Sequence, residues 1–154
     1  MLTKDQIKKV EKLIHYTFSN KQLLQNALTH KTYAYEAETP VEFNERLEFL
    51  GDSVLNFIVA EQLYTSNRYF NEGELTRRRA QCVNNKFLAE KAEHLGLGTY
   101  LLLGKGEQKQ QGEQNKTNLA NCLEAVLGAI FLDSDLETLR SVLLKTLFAD
   151  IDSF

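Results

Sequence analysis

The chain contains one proline, Pro40, in 154 residues, and it has few stretches in which apolar, β-branched residues alternate with polar ones. Proline interrupts helices, and an alternation with a period of two is the pattern of a half-buried strand. The sequence therefore predicts an all-α fold. The length and a hydrophobic content of 43% fit a single domain, residues 1–154, with one sizeable core.

Capping residues and apolar periodicity predict where the helices lie. Thr3 with Gln6, and Ser19 with Gln22, have the spacing of capping boxes, so each pair is expected to open a helix. The other helices are predicted at about residues 44–64, 74–82, 84–95, 117–132 and 136–149. Residues 30–43 are predicted to be a connection. Residues 104–116 are polar and contain glycines, and they are predicted to form a long mobile loop.

The charges and cysteines exclude several classes of protein. The net charge of −3 means that no bulk positive field indicates a nucleic-acid binder. Cys82 and Cys122 form no CxxC pair, which argues against a disulfide scaffold and a structural zinc site. The amino terminus lacks the apolar region of a signal peptide, and the longest apolar stretch, residues 125–132, is too short to span a bilayer. A cytoplasmic location without a membrane partner is expected.

Three carboxylates share one face of the long predicted helix at residues 44–64. At about 100° per residue, Glu45, Glu48 and Asp52 fall within a sector of about 60°. Their mutual repulsion destabilises the helix, and a divalent cation would relieve it, because Mg²⁺ prefers oxygen ligands. A solvated acidic surface is the alternative. Gly51 interrupts this helix at a cost of about 1 kcal/mol, which indicates a close contact with another element.

A second set of oxygen ligands lies in the predicted helix at residues 117–132. Asn121 and Glu124 are three positions apart and are therefore neighbours on one face. Glu124 has apolar neighbours in the sequence, and burial of an unpaired acid is costly, so a partner or an ion is expected beside it. Together the two helices supply the ligands that a hard cation needs.

The segments that contain these acids resemble those of the ribonuclease III family. The run Glu45-Arg46-Leu47-Glu48-Phe49-Leu50-Gly51-Asp52-Ser53-Val54 is similar to the family's nuclease signature. Other similar segments occur in the family's order: Ala27-Leu28-Thr29-His30-Lys31, Glu72-Gly73-Glu74-Leu75-Thr76, Leu119-Ala120 before Glu124-Ala125, and Phe131-Leu132-Asp133-Ser134. The resemblance implies the all-helical ribonuclease III endonuclease fold, a homodimer, and Mg²⁺-dependent cleavage of double-stranded RNA. It further implies that Mn²⁺ can replace Mg²⁺, that no organic cofactor is used, and that cleavage is staggered, leaves 5′-phosphate and 3′-hydroxyl ends, and serves rRNA and mRNA processing.

The resemblance also implies roles for individual residues. The positions of Glu48, Asp52, Asn121 and Glu124 match the family's metal ligands, and Asp52 and Glu124 match its most important catalytic acids. Glu45 matches an auxiliary acid near the cleavage centre, and it is included among the candidate catalytic residues.

Two further positions match the family pattern, and a set of basic residues can be added to them. Glu72 matches a second auxiliary acid, and Phe49 matches the aromatic residue that inserts into the partner subunit. Ordinary core packing is the alternative for Phe49. Basic side chains that could meet RNA phosphates, or merely keep the surface soluble, are Arg77, Arg78, Lys105 and Lys109, with Arg79 and Lys116.

Asn121 departs from the family pattern, which has Asp at this position. An amide oxygen can still ligate a cation, but it brings no charge, so Mg²⁺ affinity and the cleavage rate are expected to fall. The asparagine at position 121 is either natural or engineered. It also supports an alternative function, a non-cleaving ribonuclease III-like module that binds RNA or assembles a ribonucleoprotein.

The length is a second departure. Bacterial members of the family usually carry a carboxy-terminal double-stranded-RNA-binding domain, whereas this chain ends at Phe154. The chain is expected to be either a piece of such a protein or one of the short members that lack the domain. RNA binding by the nuclease domain alone should be weak in both cases.

Overall fold

The computed structural model describes residues 1–149, and this part of the chain folds into α-helices. The helices are α1 Lys4–Leu13, α2 Lys21–Ala27, α3 Lys31–Glu36, α4 Glu45–Ser66, α5 Glu72–Val83, α6 Asn85–His94, α7 Lys105–Lys109, α8 Lys116–Asp133 and α9 Leu136–Thr146. Short 3₁₀ turns occur at Leu97–Tyr100 and Gly112–Gln114. The β pairing within residues 1–149 is limited to an isolated bridge between Thr29 and Leu102. The predicted all-α fold is confirmed.

Helix α8 is the centre of the fold. Every residue from Leu119 to Ile130 is buried except Asn121, which is half-buried. A helix that is apolar on all sides must be surrounded by other elements, and α2, α4, α6 and α9 pack around α8. Glu124 is therefore carried into the interior by the apolar residues on either side of it.

The backbones of α4 and α8 touch where the two helices cross. A Cβ at Gly51 would overlap the carbonyl oxygen of Glu124, and a Cβ at Gly128 would overlap the carbonyl oxygen of Leu47. Only glycine, which has no Cβ, permits so close an approach. This is the contact that the interruption at Gly51 predicts, and it brings the next residue, Asp52, beside Glu124.

The start of α2 differs by one residue from the prediction. Asn20, and not Ser19, is the N-cap, and its Oδ1 accepts a hydrogen bond from the N–H of Gln22 at 3.1 Å. The N–H of Ser19 donates instead to Asp133 at the end of α8, at 2.8 Å. The capping box that begins at Thr3 is confirmed.

Two segments that were expected to be irregular contain helices. Residues 30–43 include α3, and residues 104–116, where a long mobile loop is predicted, include α7 and a 3₁₀ turn. The carboxylate of Glu36 at the end of α3 accepts hydrogen bonds from the N–H of Lys105 at 3.0 Å. The two segments therefore support each other, and the prediction of a long loop was wrong.

The last helix is shorter than expected. Helix α9 ends at Thr146, before the predicted end at residue 149. In the described part of the chain, no helix combines the length and the apolar character that crossing a bilayer requires.

Candidate metal centre

The four side chains predicted as metal ligands line one cleft. Glu48 and Asp52 come from α4, and Asn121 and Glu124 come from α8. The cleft has a volume of about 540 Å³, and its other lining residues are Glu45, Phe49, Val83, Asn84 and Asn85. Because α4 and α8 are locked together at Gly51 and Gly128, these oxygens are held on a rigid part of the fold.

Glu124 is the most strongly perturbed acid of the cleft. It is only 6% exposed. Burial, followed by the charges of Asp52 and Glu48 and a hydrogen bond with Asp52, raises the pKa of Glu124 to about 8. Like charges that are forced together in this way need either a proton or a cation between them.

The pKa of Glu48 is shifted in the same direction, but less strongly. Its side chain is half-buried, and burial together with the charges of Glu45 and Asp52 raises the pKa of Glu48 above its usual value. The charge of Lys31 opposes this shift. The cleft is thus a site of concentrated negative charge, and the Lys31 ammonium lies close enough to offset part of that charge.

The donor set fits a hard divalent cation. Carboxylate and amide oxygens line the cleft, whereas none of its lining residues is a His or Cys. Among residues 1–149, no three His, Cys, Asp or Glu side chains are already gathered closely enough to hold an ion. The oxygens are therefore of the right kind and on the same cleft, and their rotamers would have to converge on binding.

Lys31 is a site residue to which sequence reasoning assigned no role. Its Nζ forms an ion pair with Glu45 at 3.1 Å, and the hydrogen bond and charge of Glu45 raise the pKa of Lys31. Both side chains are about half exposed. Lys31 is the first residue of α3, in the segment that was expected to be a connection, and that explains why its position could not be anticipated.

Asn84 and Asn85 were also missed. Asn84 caps α6, where its Oδ1 accepts from the N–H of Phe87 at 2.9 Å, and both asparagines line the cleft. In the sequence, Asn84 and Asn85 indicate only the start of the helix predicted at residues 84–95.

Glu72 does not line this cleft. It is the first residue of α5 and lines a separate groove with Phe57, Tyr64 and Arg79. Its Oε1 accepts a hydrogen bond from Thr76 at 2.8 Å. A single chain therefore does not bring Glu72 to the other four acids.

Phe49 is exposed, which removes core packing as the reason for an aromatic residue at this position. Its side chain is 78% exposed, and Phe57 and Tyr64 on the same helix are 52% and 74% exposed. The three positions lie within about 80° of one another around α4. We call them the α4 aromatic stripe.

The basic residues predicted to meet RNA do not line the cleft. Arg77, Lys105 and Lys109 are exposed. The guanidinium of Arg78 instead lies over the ring of Phe70, 4.1 Å from its centre, which is a cation–π contact. Arg78 therefore has a structural partner within the chain.

Comparison with known proteins agrees with this geometry. A family model described as "Ribonuclease-III-like" matches residues 20–151. Ribonuclease 3 of Oleidesulfovibrio alaskensis is 51% identical over 125 residues, which are 81% of this chain and 55% of that protein. Ribonuclease 3 of Buchnera aphidicola subsp. Acyrthosiphon pisum is 45% identical over 138 residues, which are 90% of this chain and 58% of that protein. The chain thus spans less than three fifths of the length of these relatives.

Solved structures show the same relationship. The nuclease domain of ribonuclease III from Campylobacter jejuni has a TM-score of 0.87 and 36% identity, covering 96% of this chain and 99% of that one. Dicer from Pichia stipitis has a TM-score of 0.66 and 28% identity, covering 90% of this chain and 58% of that one. The chain belongs to the ribonuclease III family and corresponds to the nuclease domain of its relatives.

Proposed function

We propose that this chain is a Mg²⁺-dependent endonuclease domain that cleaves double-stranded RNA and leaves staggered 5′-phosphate and 3′-hydroxyl ends. The observation that carries the proposal is that α4 and α8 direct Glu48, Asp52, Asn121 and Glu124 into one cleft of a ribonuclease III family chain. Mn²⁺ would replace Mg²⁺, because it takes the same oxygen ligands.

The residues of the cleft would have different roles in metal binding and cleavage. Glu48, Asp52, Asn121 and Glu124 would hold the metal, which when bound would activate water and neutralise charge on the leaving 3′ oxygen. The rigid crossing of α4 and α8 would fix Asp52 against Glu124 and so limit the reorganisation that binding requires. Glu45, which is paired with Lys31 at 3.1 Å, would remain beside these ligands as an auxiliary acid of the cleft.

The substrate is proposed to be an RNA duplex recognised by shape. A nuclease that contacts phosphates and 2′-hydroxyls needs no base readout, and its affinity falls with salt. Arg77, Lys105 and Lys109 are exposed and free to serve as such contacts. Processing of rRNA and mRNA in the cytoplasm, without an organic cofactor, is the role proposed for the enzyme.

A homodimer is proposed as the active form. The α4 aromatic stripe is an exposed apolar surface next to the cleft, and Phe49 belongs to both. The solved nuclease domain from Campylobacter jejuni is described as having a region involved in dimer formation. A dimer would place two clefts on one duplex, one for each strand.

Incubation with long duplex RNA tests the proposal. Short staggered products are expected with Mg²⁺ or Mn²⁺ and none with a chelator. Asp52→Asn should lower cleavage at least about a hundredfold, since loss of a ligand costs more than loss of a residue that only orients one. Glu93→Gln, at an exposed position on α6 outside the cleft, is the matched control and should cleave normally. Full activity of Asp52→Asn would refute the proposal.

The alternative of a non-cleaving module depends on Asn121 alone. None of the relatives named above is described as a protein of that kind. RNA that is bound but uncut under all metal conditions would be the result in its favour.

A further inference from the structure

A large groove runs along α1, away from the acid cleft. It has a volume of about 800 Å³ and shares no lining residue with the cleft. Its apolar surface comes from the half-buried Ile7 and Tyr16 and from the methylene stems of the charged side chains around them. Four exposed lysines also line it: Lys4, Lys8 and Lys12 of α1, and Lys21. We call this surface the α1 groove.

The positive charge of the α1 groove is not compensated. Lys4, Lys8 and Lys12 repeat every four residues, so they share one face of α1 and repel one another. None of the three has an ion-pair partner within residues 1–149. By contrast, Lys9 of the same helix pairs with Asp5 at 2.9 Å and does not line the groove.

The one acid in the groove is already neutralised. Glu11 is 7% exposed, its Oε1 accepts a hydrogen bond from the N–H of Phe18 at 2.8 Å, and Lys21 forms an ion pair with it. The groove therefore offers a net positive charge beside apolar surface, and a complementary occupant must be both anionic and apolar.

We propose that the α1 groove binds an acidic amphipathic segment of a partner protein. Such a segment would place carboxylates against Lys4, Lys8 and Lys12 and apolar side chains against Ile7 and Tyr16, as amphipathic helices do in hydrophobic grooves. An RNA strand would satisfy the lysines but leave the apolar lining in contact with water. Binding would also relieve the repulsion among the three lysines, which gives the occupant a second source of affinity.

A labelled synthetic peptide tests the proposal. The probe is a helical peptide with glutamates on one edge and leucines on the other, and its binding to the chain is followed by fluorescence anisotropy. The double variant Lys8→Gln/Lys12→Gln should weaken binding about tenfold. The control Lys9→Gln/Lys145→Gln removes the same charge outside the groove and should change affinity less than about twofold. A peptide with serine in place of leucine should bind at least about tenfold more weakly.

Three results would overturn the proposal. One is equal weakening in the two double variants, and another is equal binding of the leucine and serine peptides, since either would mean unspecific charge attraction. The third is displacement of the peptide by a short RNA duplex whose own binding is weakened by Lys8→Gln/Lys12→Gln, which would assign the groove to RNA. Cleavage of duplex RNA by the Lys8→Gln/Lys12→Gln variant is expected to be normal, so this test is separate from that of the nuclease.

Discussion

Residue 121 is proposed to set how much charge the cleft contributes to a bound cation. Asn121 lines the cleft together with four carboxylates, and the resemblance to the family implies Asp at this position. Asn121→Asp adds a charged ligand, so the Mg²⁺ concentration for half-maximal cleavage should fall about tenfold, with a smaller gain at saturating Mg²⁺. Initial cleavage rates measured across a Mg²⁺ titration check this.

The matched control for residue 121 is another side-chain amide of the same cleft, Asn85. Asn85→Asp adds the same charge at the start of α6, at a position that is not a predicted ligand. It should shift the Mg²⁺ dependence much less than Asn121→Asp. Equal behaviour of Asn121→Asp and the unchanged chain would show that residue 121 does not ligate the metal.

The site residues that could be predicted are those whose spacing along one helix is itself the signal. Glu45, Glu48 and Asp52 share a face of α4 whatever packs against it, so their proximity follows from the sequence. Asn85 lines the cleft from α6, and Lys31 reaches its residue Glu45 from α3; only the tertiary packing of these helices places them there. No pattern in the sequence around these residues predicts that packing.

The crossing of α4 and α8 is the element on which the cleft depends. A Cβ at Gly51 would overlap the carbonyl oxygen of Glu124, which is backbone and cannot rotate away. Gly51→Ala should therefore lower the free energy of unfolding by about 2 kcal/mol or more, although alanine favours the helix by about 1 kcal/mol. Urea denaturation measures the change.

Gly106→Ala is the control for this prediction. Gly106 also lies in a helix, α7, but a Cβ there meets nothing within 4 Å. Alanine at this position should stabilise the chain by about 0.5–1 kcal/mol. If Gly51→Ala were as stable as the unchanged chain, the two helices could not be in backbone contact at that point.

The end of α8 is tied to the segment between α1 and α2 by Asp133. Its carboxylate accepts hydrogen bonds from the hydroxyl of Tyr16 at 2.7 Å and from the N–H groups of Ser19 and Asn20 at 2.8 Å each. Burial alone would raise the pKa of Asp133, but these hydrogen bonds hold it below its usual value. Since the folded-state pKa lies below the unfolded value of about 4, the ionised carboxylate stabilises the fold above that pH. This contribution is lost as the pH falls through the folded-state pKa.

Asp133→Asn tests the pH dependence. At neutral pH the substitution should lower the free energy of unfolding by about 2 kcal/mol, because it weakens charge-assisted hydrogen bonds and turns an amide donor toward an N–H. The difference from the unchanged chain should begin to shrink below about pH 4, and it should level off only below the lowered folded-state pKa of Asp133, where both proteins carry a neutral side chain. Urea titrations at several pH values measure it, with Glu93→Gln as the exposed control; a difference that does not depend on pH would contradict the assignment.

The elements that could be predicted are those with their own apolar pattern. Helices α4 and α8 are long and periodic, and they occur close to where the sequence predicts them. Helices α3 and α7 are short and polar, and they are held by contacts between distant residues. The N–H of Gly104 donates to Thr32 Oγ1 at 2.9 Å, across 72 positions of the sequence. Contacts of this kind override local propensity, which is why these segments were expected to be irregular.

The whole molecule has a net charge of −3, and this must be reconciled with the polyanionic substrate that we propose for it. Four of its acids line the cleft, where a bound cation would offset part of the local negative charge, whereas the exposed Arg77, Lys105 and Lys109 lie outside the cleft. The chain also spans only 55% to 58% of the length of the curated relatives described above. We expect the proposed single domain, residues 1–154, to bind duplex RNA weakly by itself, and the pairing of two copies to strengthen this binding.

That pairing is expected to depend on the α4 aromatic stripe. Phe49 is 78% exposed next to an apolar groove of about 680 Å³ that is lined in part by Leu23, Leu50 and Leu132. Phe49→Asp should raise the dimer dissociation constant at least about thirtyfold, since an aromatic residue at the centre of an interface is worth about 2 kcal/mol or more. Tyr69→Asp, at a position that is 96% exposed and outside the stripe, is the control and should leave the dimer unchanged. Sedimentation velocity over a range of concentrations measures both variants, and circular dichroism verifies that they fold. Cleavage of both strands should fall together with dimer formation, because each cleft is proposed to cut one strand. A folded, dimeric Phe49→Asp variant would show that the two copies meet through another surface.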